Sequence, residues 1–315
     1  MENVQIKDLG IAWVWQYDRE FVEIIRNAAE RAGLTTFMIE RHNVSEFTEA
    51  FKKHDVGIRV LFDRASDEDE LFQALVRYVA QHRSDIGIIN PHHLQSRAAD
   101  KATMHLEFLS HGIDVPYTII ISPYNHKREV ELSLSELANL GRPFIIKPAN
   151  TTGGGLGVVL GAETLKDILE ARQHHRNDKY LLQETVKPAY LSENRAWFRV
   201  ICAFGEVFPC WWDDQTHVYD IVTPEEEEAF ALHELRRLAL RIQEICGLDF
   251  FSTEIVYTPQ SKFVVVDYVN EICDMRVQSV HRDGVPDTLV QKIADDLVRF
   301  VAEFHAEDST GPSGV

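Results

Sequence analysis

The sequence predicts an α/β domain over residues 1–98, followed by a larger α+β part. Two observations carry this. Over residues 9–89, β-rich runs alternate with helical patterns at the spacing of βαβ units, which implies a doubly wound parallel sheet. Further on, strand-like runs follow one another across short turns: 197–208 alternates about Gly205, and 251–257 is joined to 263–269 by a short polar link. A chain of 315 residues has room for two or three domains and a substantial core.

Taken in order, residues 9–17 form a β-rich opening run. Asp18 is placed to cap a helix whose apolar positions Phe21, Ile24, Ile25, Ala28, Ala29 and Ala32 share one face, and Gly33 stops it. Strands over 35–39 and 58–62 enclose a helix over 45–53. An amphipathic helix over 67–82 and a short strand over 86–89 complete this domain. After Asn90 and Pro91, one helix carries Asp100, Lys101, Leu106 and Leu109, and a strand covers 117–122. Ser133 with Glu136 has capping-box spacing and starts a short helix to residue 140. Residues 164–172 read as helix and 180–184 as strand. Thr223, Pro224 and the four glutamates after them open a single long helix: Thr caps, Pro takes the first position, and the acids face the positive end of the dipole. Ala231, Leu235, Leu238, Ile242 and Ile245 mark its buried stripe, and Gly247 ends it. A last helix covers 288–305, and residues 308–315 are a loose tail.

The formal charge of −18 argues against a nucleic-acid partner, which would want a basic face. An anionic ligand must then be held by local lysines, arginines and a divalent metal. Cys202, Cys210, Cys246 and Cys273 are scattered, with no zinc-like spacing, which fits reduced thiols. The N-terminus lacks a basic start with an apolar core, and no apolar run approaches the roughly 20 residues that span a bilayer. The expectation is a cytoplasmic protein with no membrane partner.

The first chemically informative stretch is Phe144-Ile145-Ile146-Lys147-Pro148. A buried strand delivers Lys147 at its end, and Pro148 has no N–H to give a ladder. Gly153, Gly154, Gly155 and Gly157 follow before Val158-Val159-Leu160 resumes a strand. Such a loop can lay backbone N–H groups around phosphate oxygens, with the lysine beside them. It is not a P-loop, since the lysine precedes the glycines, and it lacks the third small residue of the dinucleotide fingerprint. A plain glycine-rich hairpin is the alternative.

The second is Glu254, in a strand of apolar and β-branched residues, with Asp267 after four apolar residues of the next strand. Carboxylates in buried strands must be paired or must ligate a metal. Magnesium suits a few carboxylates plus phosphates, and Asn270 can add a neutral oxygen. Solvated strand faces, or a pairing of Asp267 with Arg276, are the alternatives.

Six features in order resemble the ATP-grasp superfamily over nearly the whole chain: Asp100-Lys101 after the Asn-Pro turn; Gly112 to Pro116; Ile146-Lys147-Pro148 with the glycine loop; Leu182-Gln183-Glu184-Thr185-Val186; Phe198-Arg199-Val200; and Glu254, Asp267 and Asn270. The resemblance implies an N-terminal pre-ATP-grasp domain (1–98) and a two-subdomain ATP-grasp fold. Its N-subdomain would be 99–186 and its C-subdomain, with the metal site, 187–307. It further implies ATP and magnesium, or manganese in its place, between the two. Lys101, Lys147 and the Gly153–Gly157 loop would take the phosphates. Gln183, Glu184 and Val186 would form the adenine-reading hinge, Glu193 would stand in for the ribose-binding acid, and Glu254, Asp267 and Asn270 would bind the metal. Three departures stand out. Two residues, not one, separate Asp267 from Asn270, so a bulge, or Glu271 in place of Asn270, must be considered. The usual Pro-Gly turn is replaced by Ile272 to Arg276. Trp197 occupies the place of the ribose acid.

The resemblance implies an ADP-forming carboxylate–amine ligase working through an acylphosphate on an amino acid or small peptide. Arg199 and Arg276 would face the γ-phosphate, carboxylate or acylphosphate oxygens. Arg276 could equally pair with Asp274 or Asp267. Trp211, Trp212, Asp213, Asp214 and His217 could line the substrate cavity or simply pack. A kinase of a small hydroxyl substrate and a non-catalytic nucleotide-binding regulator are the other readings, and a homodimer is a further expectation from the family.

Overall fold

A computed structural model describes residues 5–151 and 155–309. In chain order the first elements are β1 (Gln5–Trp13), α1 (Arg19–Arg31), β2 (Thr36–Ile39), α2 (Val44–Lys52), β3 (Val56–Arg64), α3 (Glu70–His82) and β4 (Gly87–Ile89). The four strands form one parallel sheet in the order β2-β1-β3-β4. Both faces are covered, as the alternation of strand and helix requires. Leu9 and Ile11 of β1 and Val60 and Phe62 of β3 pack in one apolar core with Phe21 and Ile25 of α1, while Ala12 and Leu61 pack with Phe47, Phe51, Phe72 and Leu75 of α2 and α3. Gly10 gives Ile58 room, since a Cβ on it would lie 2.9 Å from that side chain's terminal methyl and make it shift.

The middle of the chain holds α4 (His92–Ala99), α5 (Lys101–Ser110), β5 (Thr118–Ile121), α6 (Leu134–Leu140), β6 (Phe144–Pro148), β7 (Val159–Ala162), α7 (Leu165–Ala171) and β8 (Tyr180–Glu184). Its strands form an antiparallel sheet ordered β5-β8-β6-β7. There follow the short β9 (Tyr190–Leu191) and β10 (Asn194–Arg195), then β11 (Trp197–Ala203), β12 (Glu206–Trp212), β13 (Tyr219–Ile221), α8 (Pro224–Ala229), α9 (His233–Cys246), β14 (Phe250–Tyr257), β15 (Phe263–Asn270) and α10 (Asp287–Ser309). The third sheet is antiparallel, ordered β13-β12-β11-β14-β15. On β11, Phe198, Val200 and Cys202 face Met104 and Phe108 of α5 and Leu235 and Ile242 of α9, whereas Ile201 and Ala203 join the core that holds Ile293 and Leu297 of α10. That same core contains Leu9 and Phe21, so the last helix packs back on the first sheet.

Four local expectations are corrected. The opening strand is β1, ending at Trp13, because its pairing with β3 starts at Gln5. Asp18 does not cap α1; its carboxylate takes two bonds at 2.7 Å from Arg64, and both side chains are fully buried. The helix through Asp100 breaks there: Asp100 is extended, and its side chain caps Ala102 and Thr103 instead. The long helix after Thr223 is two helices. Thr223 caps it as predicted, with Glu226 completing a capping box, but Ala231 has φ +53° and the chain restarts at His233. The restart brings Arg236 Nε to 2.7 Å and His233 Nδ1 to 3.2 Å from the buried Glu227, so one of the four glutamates is an internal ion-pair partner rather than a helix-start acid alone. The boxes at Ser133/Glu136 and Thr164/Asp167 both form. Among the described residues no helix is long and apolar enough to cross a membrane.

Candidate functional site

Lys147 reaches from the end of β6 across to the third sheet, where its Nζ donates to the Val266 carbonyl at 3.0 Å. Lys101, the first residue of α5, lies 3.1 Å from Asp267 Oδ1. On β11, Arg199 Nη1 donates to Glu254 Oε1 at 2.7 Å, its Nε to Ser252 Oγ at 3.2 Å, and its guanidinium lies 5.5 Å from the ring centre of Trp212. Trp197 Nε1 donates to the other Glu254 oxygen at 3.1 Å. Three cations and two carboxylates from five elements, α5, β6, β11, β14 and β15, thus meet at one place between the second and third sheets.

The register of β14 and β15 explains how both carboxylates reach that place. Val256 pairs with Val264 and Ile255 with Val265, so a regular ladder would set Val266 opposite Glu254. A bulge puts Asp267 there instead, and a second irregularity sets Asn270 opposite Ser252. Paired residues share a face, and an inserted residue re-aims the side chain that follows. The two-residue gap between Asp267 and Asn270 is therefore absorbed by the strand: Asn270 Nδ2 donates to Asp267 Oδ2 at 3.2 Å, which leaves its amide oxygen as the acceptor. Glu271 lines a neighbouring crevice with Asp67, His92, Gln95 and Ile272.

Burial alone would raise the Asp267 carboxyl, but the ammonium groups of Lys101 and Lys147 outweigh it and hold it well below the usual range. Burial raises Glu254, against the opposing pull of Arg199. Burial also lowers Lys147, only partly offset by Asp267. Burial would lower Arg199 too, yet Tyr219 and Glu254 carry it upward. Among the described residues no three His, Cys, Asp or Glu side chains converge as a closed metal cage. Two carboxylates and one amide oxygen instead suit a hard cation such as magnesium that takes its remaining ligands from phosphate and water.

Beside the charged cluster the same region turns apolar. Val186 and Trp197 pack on Val256, Val264 and Val266. The segment running into Val186 is fixed by backbone and side chain together: Glu184 N donates to Tyr117 O at 2.9 Å and Tyr117 N to Glu184 Oε1 at 2.7 Å. Gln183 is buried and its Nε2 donates to Tyr268 Oη at 2.9 Å, while that hydroxyl lies 2.7 Å from His105 Nδ1.

The remaining candidates are placed as follows. Gly153 and Gly154 fall outside the described residues; Gly155 and Gly157 have φ of +77° and +76°, the region glycine tolerates. Arg276 is held by Asp274 at 2.7 Å and Asp283 at 2.9 Å, not by Asp267. Glu193 is exposed in the turn between β9 and β10. Trp211 is core, packed on Phe198 and Phe230, while Trp212 stacks on His217 at 5.1 Å beneath Arg199. Asp214 pairs with Arg195, and Asp213 closes its own turn onto Gln215 and Thr216. The sequence reading missed the His105–Tyr268–Gln183 chain. Its one signal was helical spacing, since His105 stands one turn after Lys101 and shares its face.

No family model and no curated protein matches the sequence. Solved structures do. An ATP-grasp RimK-domain protein from Sphaerobacter thermophilus aligns with a TM-score of 0.64 at 18% identity, over 93% of this chain and 99% of its own. D-alanine–D-alanine ligase from Bacillus anthracis, solved with ATP, gives 0.65 at 12% over 97% and 100%. The ATP-grasp ligase PsnB, solved with precursor peptide PsnA2 and AMPPNP, gives 0.62 at 12% over 96% and 100%. The chain has the ATP-grasp fold.

Proposed function

We propose that this protein is an ATP-dependent, ADP-forming ligase that joins a carboxylate to an amine on an amino acid or small peptide. The observation that carries the reading is the meeting of Lys101, Lys147, Arg199, Glu254, Asp267 and Asn270 between two sheets, beside an apolar cluster that includes Val186, Trp197 and Val266. An adenine ring would suit the apolar surface of these valines and the tryptophan, and phosphates would suit the lysines. A divalent ion held by Glu254, Asp267 and Asn270 would neutralise phosphate charge, which is most of what phosphoryl transfer asks of a protein. D-alanine–D-alanine ligase and PsnB, which share the fold, support the ligase class.

In the proposed reaction a substrate carboxylate oxygen attacks the γ-phosphorus and ADP leaves, giving an acylphosphate. The amine nitrogen then attacks the acyl carbon, the C–O bond to phosphate breaks, and phosphate leaves as the nitrogen loses a proton. Lys101, Lys147 and Arg199 would steady the charge that moves through these steps. Domain limits at 98 and 186 and a homodimer belong to the same proposal.

The test is ADP release from Mg-ATP with pooled amino acids and peptides, with and without polyols, followed by mass spectrometry. An amide product supports the ligase. A phosphorylated polyol replaces it with a kinase, and tight nucleotide binding without turnover replaces it with a regulator.

A further inference from the structure

Residues 172–179, between α7 and β8, contribute nothing to the cluster above, yet two of them hold both segments that carry its lysines. Asp178 is buried, and its carboxylate accepts four hydrogen bonds from two consecutive residues of the chain leaving β6. The donors are Asn150 N at 2.9 Å, Asn150 Nδ2 at 2.8 Å, Thr151 N at 3.2 Å and Thr151 Oγ1 at 2.9 Å. Three of the four end on Oδ2 and one on Oδ1, and the charge of the carboxylate strengthens each of them. The next residue works in the other direction. Lys179 O accepts from Ala149 N at 2.9 Å, and Lys179 Nζ lies 2.5 Å from Asp100 Oδ2. The other Asp100 oxygen caps α5 at Ala102 and Thr103, and Lys101 N donates to Ala149 O at 3.0 Å. The dipeptide 178–179 therefore ties the start of α5, where Lys101 stands, to the end of β6, where Lys147 stands.

We propose that Asp178 and Lys179 are positioning residues for phosphate recognition, setting the two lysine-bearing segments in register with each other. The proposal rests on the nucleotide reading given above. Two ammonium groups that must match successive phosphates gain most when their spacing is fixed beforehand, because ordering them on binding costs affinity. The contacts separate this role from general structural support: among the described residues, the hydrogen bonds of the two side chains end on residues 100 and 150–151, and none ends on the apolar cluster of Val186, Trp197 and Val266.

The test is titration calorimetry of the full chain with Mg-ADP and, separately, with adenosine, for the wild type, Asp178→Ala, Asp178→Asn and Lys179→Met. Expected for Asp178→Ala is a loss of about tenfold or more in Mg-ADP affinity with adenosine affinity unchanged within about twofold. Asp178→Asn should regain most of the loss, because an amide oxygen can still accept from Asn150 N, Thr151 N and Thr151 Oγ1. Lys179→Met should fall between them. If Asp178→Ala fails to fold, Thr151→Val removes one of the four bonds at an exposed position and should still cost Mg-ADP about threefold and adenosine nothing. Unchanged Mg-ADP affinity in these variants, or equal losses for both ligands, overturns the proposal. Wild-type protein that binds neither ligand overturns the nucleotide reading itself, and this one with it.

Discussion

Replacing His105 by glutamine should flatten the pH dependence of folding stability between pH 7 and pH 4. His105 is buried, with Nδ1 2.7 Å from Tyr268 Oη. Burial, reinforced by the nearby Lys147 ammonium, pushes it down from 6.5 to about 4. The folded protein thus keeps a neutral ring where the unfolded chain would take a proton. Above pH 6.5 the stabilisation is fully present; it is lost as the pH falls from 6.5 toward 4 and is constant below that. A fall from 6.5 to about 4, at about 1.4 kcal/mol per unit, sets the loss at about 3 kcal/mol. Glutamine can hydrogen-bond but does not titrate, so the gap between wild type and His105→Gln in urea unfolding should narrow by about that amount on acidification. Because both proteins share every other titrating group, only the difference matters. Two parallel stability–pH curves would falsify the assignment of a buried neutral ring.

The other expectations are as direct. Asp267→Asn keeps the shape but removes the charge opposite Lys101 and Lys147; it should lower stability by about 2 kcal/mol in denaturant unfolding, allowing for partial exposure, and weaken Mg-ADP at least about tenfold in calorimetry. Arg64→Met leaves Asp18 buried and unpaired, at a cost of about 3–5 kcal/mol in urea, and adding Asp18→Asn should restore most of it. Gly157→Ala forces a Cβ to 3.2 Å from both His175 and Pro148 at φ +76°, so a loss of about 1–2 kcal/mol in a thermal melt is expected. ADP should bind at least about tenfold more weakly in EDTA than in excess magnesium; equal affinities would remove the metal from the reading.

Much of this was legible in the chain because the signals are local. Parallel and antiparallel regions followed from the spacing of strands and helices, and the box at Ser133 and the cap at Thr223 followed from residue type at a fixed offset. What stayed hidden depends on residues far apart in sequence. Asp18 looks like a cap until Arg64, brought beside it by the parallel pairing of β1 with β3, claims its carboxylate. Glu227 looks like one of four equivalent acids until Arg236 folds back on it. The bulge at Asp267 has no marker such as glycine; only the gap before Asn270 hinted at it, and its direction is set by pairing with β14. Asp178 sits in an unremarkable polar turn, and only the folded chain shows that Asn150 and Thr151 converge on it.

The partnering within the cleft bears on how a nucleotide would enter it. Lys101 rests on Asp267, Arg199 on Glu254, and Lys147 on the Val266 carbonyl. A phosphate that drew the lysines away would leave the half-buried Asp267 without its cations, and a metal ion that claimed the carboxylates would strand the cations, each at a cost of about 1 kcal/mol or more. Both costs vanish together when ammoniums pass to phosphate oxygens while carboxylates pass to the metal. A charged cluster neutralised from within would therefore favour the proposed metal–nucleotide pair over either component alone. The bulge would make this exchange feasible: it brings Asp267 opposite Glu254, where a regular strand would have presented Val266.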